Sequence, residues 1–350
     1  MTESKRAAWG RRLVGAALIL GLLLTAGCAA GGAKPAADAA PETAPAKTVR
    51  IGYLNVMDDA PVMLAEDAQI YAKHGVKAEL QQFTSGTDLI KAIVGGQLDA
   101  GVLGFTNAVT WASKGADLKV VGGAQMGYHS LLVRKDSGIK TVADLKGRRL
   151  ASQQQGSTAD IVLNGVVLSH AGLTRQDLNL TYTSPAVAIT SLAAGQVDAA
   201  FVFEPYDHMA RLTSPVESIY EIGKEWPFPC MVVIASGKAL SADRDAINRM
   251  LDAQKEAIVM LEEKPEEAAR VLAPRFIPEG SLTTESGEKV PAADVVRDAI
   301  KAQSFDWKVT PDQVSRMQEV VGLMVDQGAL AQTVDVKGLL DLSWQEKASQ

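Results

Sequence analysis

Residues 95–104 read GGQLDAGVLG, and residues 194–203 read AGQVDAAFVF. Each copy runs from a glycine turn through a Gln-x-Asp-Ala step into an apolar run, the pattern of a tight turn that feeds a buried strand. Their surroundings also match. Ahead of the first copy, residues 48–55 (TVRIGYLN) read as a buried strand, and Asp58-Asp59 precede Pro61 at the start of a helix carrying Leu64, Ala68 and Tyr71. Val76–Phe83 alternates as a half-buried strand, and Ser85-Gly86-Thr87 open a second helix that runs to Ile93. Ahead of the second copy come a strand at Arg149–Ser152, a helix opened by Gly156-Ser157-Thr158 and ended by His170-Ala171-Gly172, a strand at residues 178–182, and a helix capped by Ser184-Pro185. Both units are β-α-β-α-β. They predict an α/β protein of two similar lobes, each a mainly parallel sheet flanked by helices.

Two further strand-like segments, Ser130–Arg134 and residues 231–235, flank the second unit and are expected to cross between lobes as a two-strand hinge. On that reading lobe one holds residues 48–134 and 236–350, and lobe two residues 135–235. The chain after Ser236 is mostly helical, with Ile247, Met250, Leu251, Ala257, Ile258 and Leu261 on one stripe. Thr310-Pro311-Asp312-Gln313 form a capping box for a later helix that ends at Gly328. These helices are expected to wrap lobe one.

The N-terminus reads as an export signal. Lys5, Arg6, Arg11 and Arg12 form a positive region, and the apolar run that follows, residues 13–24, is too short for a comfortable membrane span. It ends in LTAGC, with small residues before Cys28. Residues 29–47, rich in Ala and Pro, read as a tether. The folded body is expected to carry no disulfide framework, since Cys230 is the other cysteine of the 350-residue chain. A formal charge of −6 from interspersed signs excludes the basic footprint of a nucleic-acid binder, and the 47% hydrophobic content supports sizeable cores.

Several stretches together resemble the substrate-binding proteins of bacterial ABC importers, in the group that binds nitrate, taurine, aliphatic sulfonates and pyrimidine precursors. They are IGYL at residues 51–54, Ala60-Pro61, TSGTDLIKAIVGGQLDAG at 84–101, Gly156-Ser157-Thr158 and AAGQVDAAFVFEP at 193–205. The LTAGC run similarly resembles a lipoprotein processing site, which implies a signal segment over residues 1–28 that is cleaved before Cys28, leaving Cys28 as the acylated N-terminus. The resemblance implies a two-lobed periplasmic binding protein of type II that closes over a small ligand. It also implies an ABC permease and its ATPase as partners, a periplasmic or cell-surface location on a lipid anchor, and a monomeric state. Fungal pyrimidine-precursor synthases share this architecture but carry a cysteine-rich motif lacking here, so an enzyme is the weaker alternative, as is a ligand-sensing module. No cofactor or metal motif is present.

Helix N-termini at Pro61, Thr87, Thr158 and Ala186 are expected at the cleft, where free backbone N–H groups suit an oxyanion. Ser85, Gly86, Thr87, Gly156, Ser157 and Thr158 are the candidate contacts there, with plain N-capping as the other role for the hydroxyls. Asp58, Asp59 and Glu204 also fall at the expected cleft mouth and favour a ligand bearing an amine, amidine or ring N–H. Their other roles are capping for the aspartates and a solvated loop for Glu204. Phe105 and Thr106 follow the third strand, and Phe105, Phe203, Tyr206 and Trp226 are candidates for an aromatic wall.

Overall fold

The computed structural model describes residues 47–349. Cys28 and the proposed signal and tether therefore lie outside the described residues. The body contains two five-stranded mixed sheets. The strands are β1 (Lys47–Leu54), β2 (Val76–Phe83), β3 (Ala100–Gly104), β4 (Leu118–Met126), β5 (Ser130–Arg134), β6 (Arg149–Ser152), β7 (Asn179–Tyr182), β8 (Ala199–Val202), β9 (Val216–Glu221) and β10 (Pro229–Ser236). One sheet has the order β2-β1-β3-β10-β4 and the other β7-β6-β8-β5-β9. In each, four strands share a direction and the fifth, β10 or β5, runs against its neighbours. The central strands β3 and β10 are buried along their whole length, as expected of strands covered on both faces, whereas the edge strand β2 alternates.

The repeated sequence does the same work in both lobes. Gly96 (φ +75°) and Gly195 (φ +69°) make left-handed turns that glycine adopts without a Cβ clash. Asp99 then accepts hydrogen bonds from the backbone N–H (2.9 Å), Nε (3.0 Å) and Nη2 (2.7 Å) of Arg50 on β1. Asp198 accepts the equivalent three from Arg149 on β6, at 2.9, 3.1 and 2.8 Å. Each aspartate ties the turn before the third strand to the first strand of its sheet, at the end opposite the cleft.

The strands expected to cross between lobes do not cross. Ser130–Arg134 lies wholly in the second sheet and residues 231–235 wholly in the first. The passages are the short segments before them, residues 127–129 and 226–228. They run side by side: Gly127 N–H donates to the Phe228 carbonyl at 2.7 Å, and Ile222 N–H to the His129 carbonyl at 3.0 Å. A Cβ on Gly127 would lie 2.2 Å from the Phe228 ring, so glycine is what lets the two passages touch.

The C-terminal helices pack mostly on lobe one, as expected. Gly237–Glu263, kinked at Asp243, lies on the helices that follow β1, and Gln254 Nε2 donates to Tyr71 at 3.0 Å. The capping box forms as predicted, with Thr310 and Gln313 exchanging hydrogen bonds at the start of Pro311–Asp326. That helix is not confined to lobe one, however. Gln327, at its end, donates to the Ile161 carbonyl of lobe two at 2.9 Å, and a Cβ on Gly165 would meet Leu323 at 2.9 Å.

Candidate functional site

The carboxyl ends of β1, β2 and β3 face those of β6, β7 and β8 across a cavity of about 710 Å³. This is the edge of an open α/β sheet where loops and helix N-termini converge on a ligand. Parallel register brings the loops together in pairs: Leu54 lies opposite Phe83 in one sheet and Ser152 opposite Tyr182 in the other. The cavity wall includes Asn55 and Asp58 after β1, Gln82 and Thr84–Gly86 around the end of β2, and Gly104 and Asn107 after β3. Lobe two adds Gln153, Gln154, Ser157 and Thr158 after β6, Tyr182 and Ser184 around β7, and Phe203 and Tyr206 after β8. His129 of the first passage and Cys230 and Met231 of β10 complete the back. A larger cavity of about 1010 Å³ adjoins it, sharing Gly86, Asn107, Gln154 and Ser157 and taking in Thr87 and Gly156.

Ser85, Ser157 and Ser184 each cap the helix that follows, accepting from the backbone N–H of Asp88, Asp160 and Val187. Their hydroxyls therefore serve as caps and also line the cavity. The lobe-two terminus is less free than the sequence predicted, because Asp160 accepts from Gly156 N–H at 2.8 Å and supplies an anion of its own. Thr158 meets lobe one directly: its hydroxyl pairs with that of Thr106 at 3.0 Å in a buried contact, and a Cβ on Gly104 would lie 2.6 Å from Thr158 Oγ1.

Asp58 is 4% exposed and sits at the cavity. Neither it nor Asp59 caps the helix Ala60–Asp67 through its side chain. Burial pushes the Asp58 carboxyl up to about 8, and its Oδ1 has no hydrogen-bond partner among the described residues. Asp59 instead lies beneath the site, accepting from the Leu54 N–H at 2.7 Å, and burial raises it well above the usual carboxylate range. His129 stacks on Phe201 at 5.3 Å and meets the edge of Phe203 at 5.8 Å; burial lowers it to about 3, so the ring is neutral.

Besides Asp59, four sequence candidates fall away from the cavity wall. Pro61 is buried inside its helix, and Phe105, the first residue of the helix after β3, is fully buried in the main core. Thr106 holds the lobe contact instead of the ligand space. Glu204 is fully buried and faces away, since its carboxylate caps the next helix by accepting from His208 N–H at 3.1 Å. Desolvation, then the charge of Asp207, raises it well above the usual range. Asp207 is held in turn by Tyr128 O–H and by Arg211 Nε at 2.8 Å. Of the aromatic candidates, Phe203 and Tyr206 reach the cavity, whereas Trp226 lies under Arg316, 4.2 Å from ring centroid to guanidinium. Asn55, Gln82, Asn107, Gln153, Gln154 and Tyr182 were not singled out from sequence; their position at or just past a strand end was the available signal.

Two five-stranded mixed sheets joined by paired passages around such a cavity define the two-lobed periplasmic-binding-protein fold. The chain belongs to the NMT1-like family, whose model matches residues 42–275. A putative aliphatic sulfonates-binding protein of Bacillus subtilis is 25% identical over 95% of both chains, and one of Escherichia coli is 32% identical over 52% of this chain and 55% of its own. Among solved structures, the aliphatic sulphonate binding protein SsuA of Escherichia coli superposes with a TM-score of 0.71 at 25% identity, covering 84% of this chain and 92% of that one. The alkanesulfonate-binding protein SsuA of Xanthomonas axonopodis pv. citri bound to MOPS gives the same score and identity, over 86% of this chain and 100% of that one. These likenesses make the chain a relative of ABC substrate-binding proteins, and its role solute binding. Among the described residues no helix is long and apolar enough to cross a membrane.

Proposed function

We propose that the protein captures a small organic solute between its lobes and presents it to an ABC permease and its ATPase, held at an extracytoplasmic membrane face by lipid on Cys28. The observation that carries this is the cavity of about 710 Å³ at the facing carboxyl ends of two sheets, with wall residues from both lobes. Ligand contacts on both sides bias the lobes towards closure, which a permease can read as the loaded form. A sulfonate or taurine-like compound, as the names of the relatives indicate, and a pyrimidine-type heterocycle both suit the volume.

Thermal unfolding of the full chain with taurine, alkanesulfonates, nitrate and pyrimidine derivatives tests the reading. A solute at a hundred times its Kd adds about 2.7 kcal/mol and raises the midpoint by a few degrees. No shift across the panel would refute capture.

A further inference from the structure

The cavity of about 710 Å³ is rich in acceptors and poor in charged donors. Asn55 donates its Nδ2 to the Arg275 carbonyl at 3.3 Å, and Gln153 donates its Nε2 to the Phe201 carbonyl. A carbonyl only accepts, so both amides are oriented with nitrogen towards the protein and oxygen left over. Asn55 Oδ1 and Gln153 Oε1 are shielded and have no partner among the described residues; the same holds for Asp58 Oδ1 and for Nδ1 of the neutral His129. All four residues line the cavity. Among the described residues no Lys or Arg lines it, and Asp59 lies buried behind Asp58.

Buried acceptors without partners, here the oxygens of Asn55, Gln153 and Asp58, are unfavourable and mark places where a donor belongs, and His129 Nδ1 joins them in the tautomer with its proton on Nε2. A simple anion would bring more acceptors and no positive charge to draw the buried Asp58 carboxyl into its ionised form, and it would find no cation on this wall, since Lys91, Lys114 and Arg175 lie on the adjoining cavity. A nitrogen group carrying several N–H bonds satisfies the orphaned atoms, and the Phe203 and Tyr206 rings, edge to face at 5.8 Å, flank such a group with an aromatic surface. We propose that the solute carries an ammonium, amidinium or guanidinium group that donates to Asp58, with Asn55 and Gln153 as supporting acceptors. An anionic end is optional, and the N–H groups of Gly86–Val94 and Pro185–Ala193 are the place for one. The inference rests on the solute-capture reading and narrows its ligand.

Matched probes test it: taurine against ethanesulfonate, and benzamidine against benzenesulfonate, titrated into the full chain by calorimetry and thermal shift. The nitrogen-bearing member of at least one pair should bind at least roughly tenfold more tightly than its partner, and Asp58→Asn should remove a comparable factor, the range of one charge-assisted hydrogen bond. Gln153→Leu provides a second variant and should weaken the same probe less. Sulfonate partners that bind as tightly as the nitrogen-bearing members, or an Asp58→Asn protein that keeps wild-type affinity for them, would overturn this inference and leave solute capture standing. Silence from all four probes and from the wider panel would overturn both.

Discussion

Thr106→Val separates lobe closure from ligand contact. Thr106 is fully buried, lies outside the cavity wall, and its hydroxyl pairs across the lobes with Thr158 at 3.0 Å. Valine keeps the shape and removes the partner, so the Thr158 hydroxyl is stranded wherever the lobes are closed. In an open form water replaces the lost bond. The cost of about 1–3 kcal/mol for a buried unsatisfied hydroxyl therefore falls on the closed state and lowers its population roughly 5- to 150-fold. Solute affinity should drop by the same factor, with little change in the urea midpoint of the open form. Thr106→Val/Thr158→Val removes both hydroxyls, and affinity should recover towards wild type unless the solute also touches Thr158, because replacing both partners by apolar groups is nearly neutral. Calorimetric titration gives the affinities, and small-angle scattering without solute gives the open fraction. An unchanged affinity and radius of gyration in Thr106→Val would refute the assignment of this pair as a closure contact.

Further outcomes follow from the same structure. Gly127→Ala places a methyl 2.2 Å from the Phe228 ring and should cost about 1–3 kcal/mol, read as a lower thermal midpoint; a wild-type midpoint would mean the passages can part freely. Asp99→Ala and Asp198→Ala each remove three acceptor contacts to an arginine on the first strand of a lobe, and each should lose about 1–2 kcal/mol in urea unfolding without affecting solute affinity, since the clamps lie at the far ends of the strands. The pH response has opposing parts. Asp58, raised to about 8, contributes stability that is lost as pH rises from the ordinary carboxylate value to 8, while His129, lowered to about 3, makes stability rise between 3 and 6.5. Between pH 6.5 and 8 the Asp58 effect, shared with the buried acids Asp59 and Glu204, is unopposed by His129. The urea midpoint should fall across that interval in the wild type and fall less in Asp58→Asn; equal slopes would refute the assignment.

The repeated GGQLDAGVLG and AGQVDAAFVF stretches were enough to predict two similar α/β lobes, because a glycine turn, an aspartate three residues on and an apolar strand are short-range features. The same holds for the caps at Ser85, Ser157, Ser184 and Thr310, whose bonds reach three residues along the chain. Placing Ser85, Gly86, Ser157, Thr158 and Asp58 at the cavity followed from the rule that strand ends and helix starts gather there.

What the sequence by itself determined was the β-α-β-α-β order of each unit and the capped starts of its helices, since these depend on neighbours along the chain; the edge strands β4 and β9 were not read from it. Only the tertiary structure decided that Glu204 is turned off the cavity wall to cap the helix that follows it while Asp58 stays on that wall, although both are acids just past a strand. It likewise decided that Asn55 and Gln153 offer oxygen rather than nitrogen, because their amides are oriented by carbonyls 220 and 48 residues away. The passages at 127–129 and 226–228 were illegible for the same reason: sheet membership of β5 and β10 is settled by long-range pairing, and an apolar run has the same local pattern whichever sheet receives it.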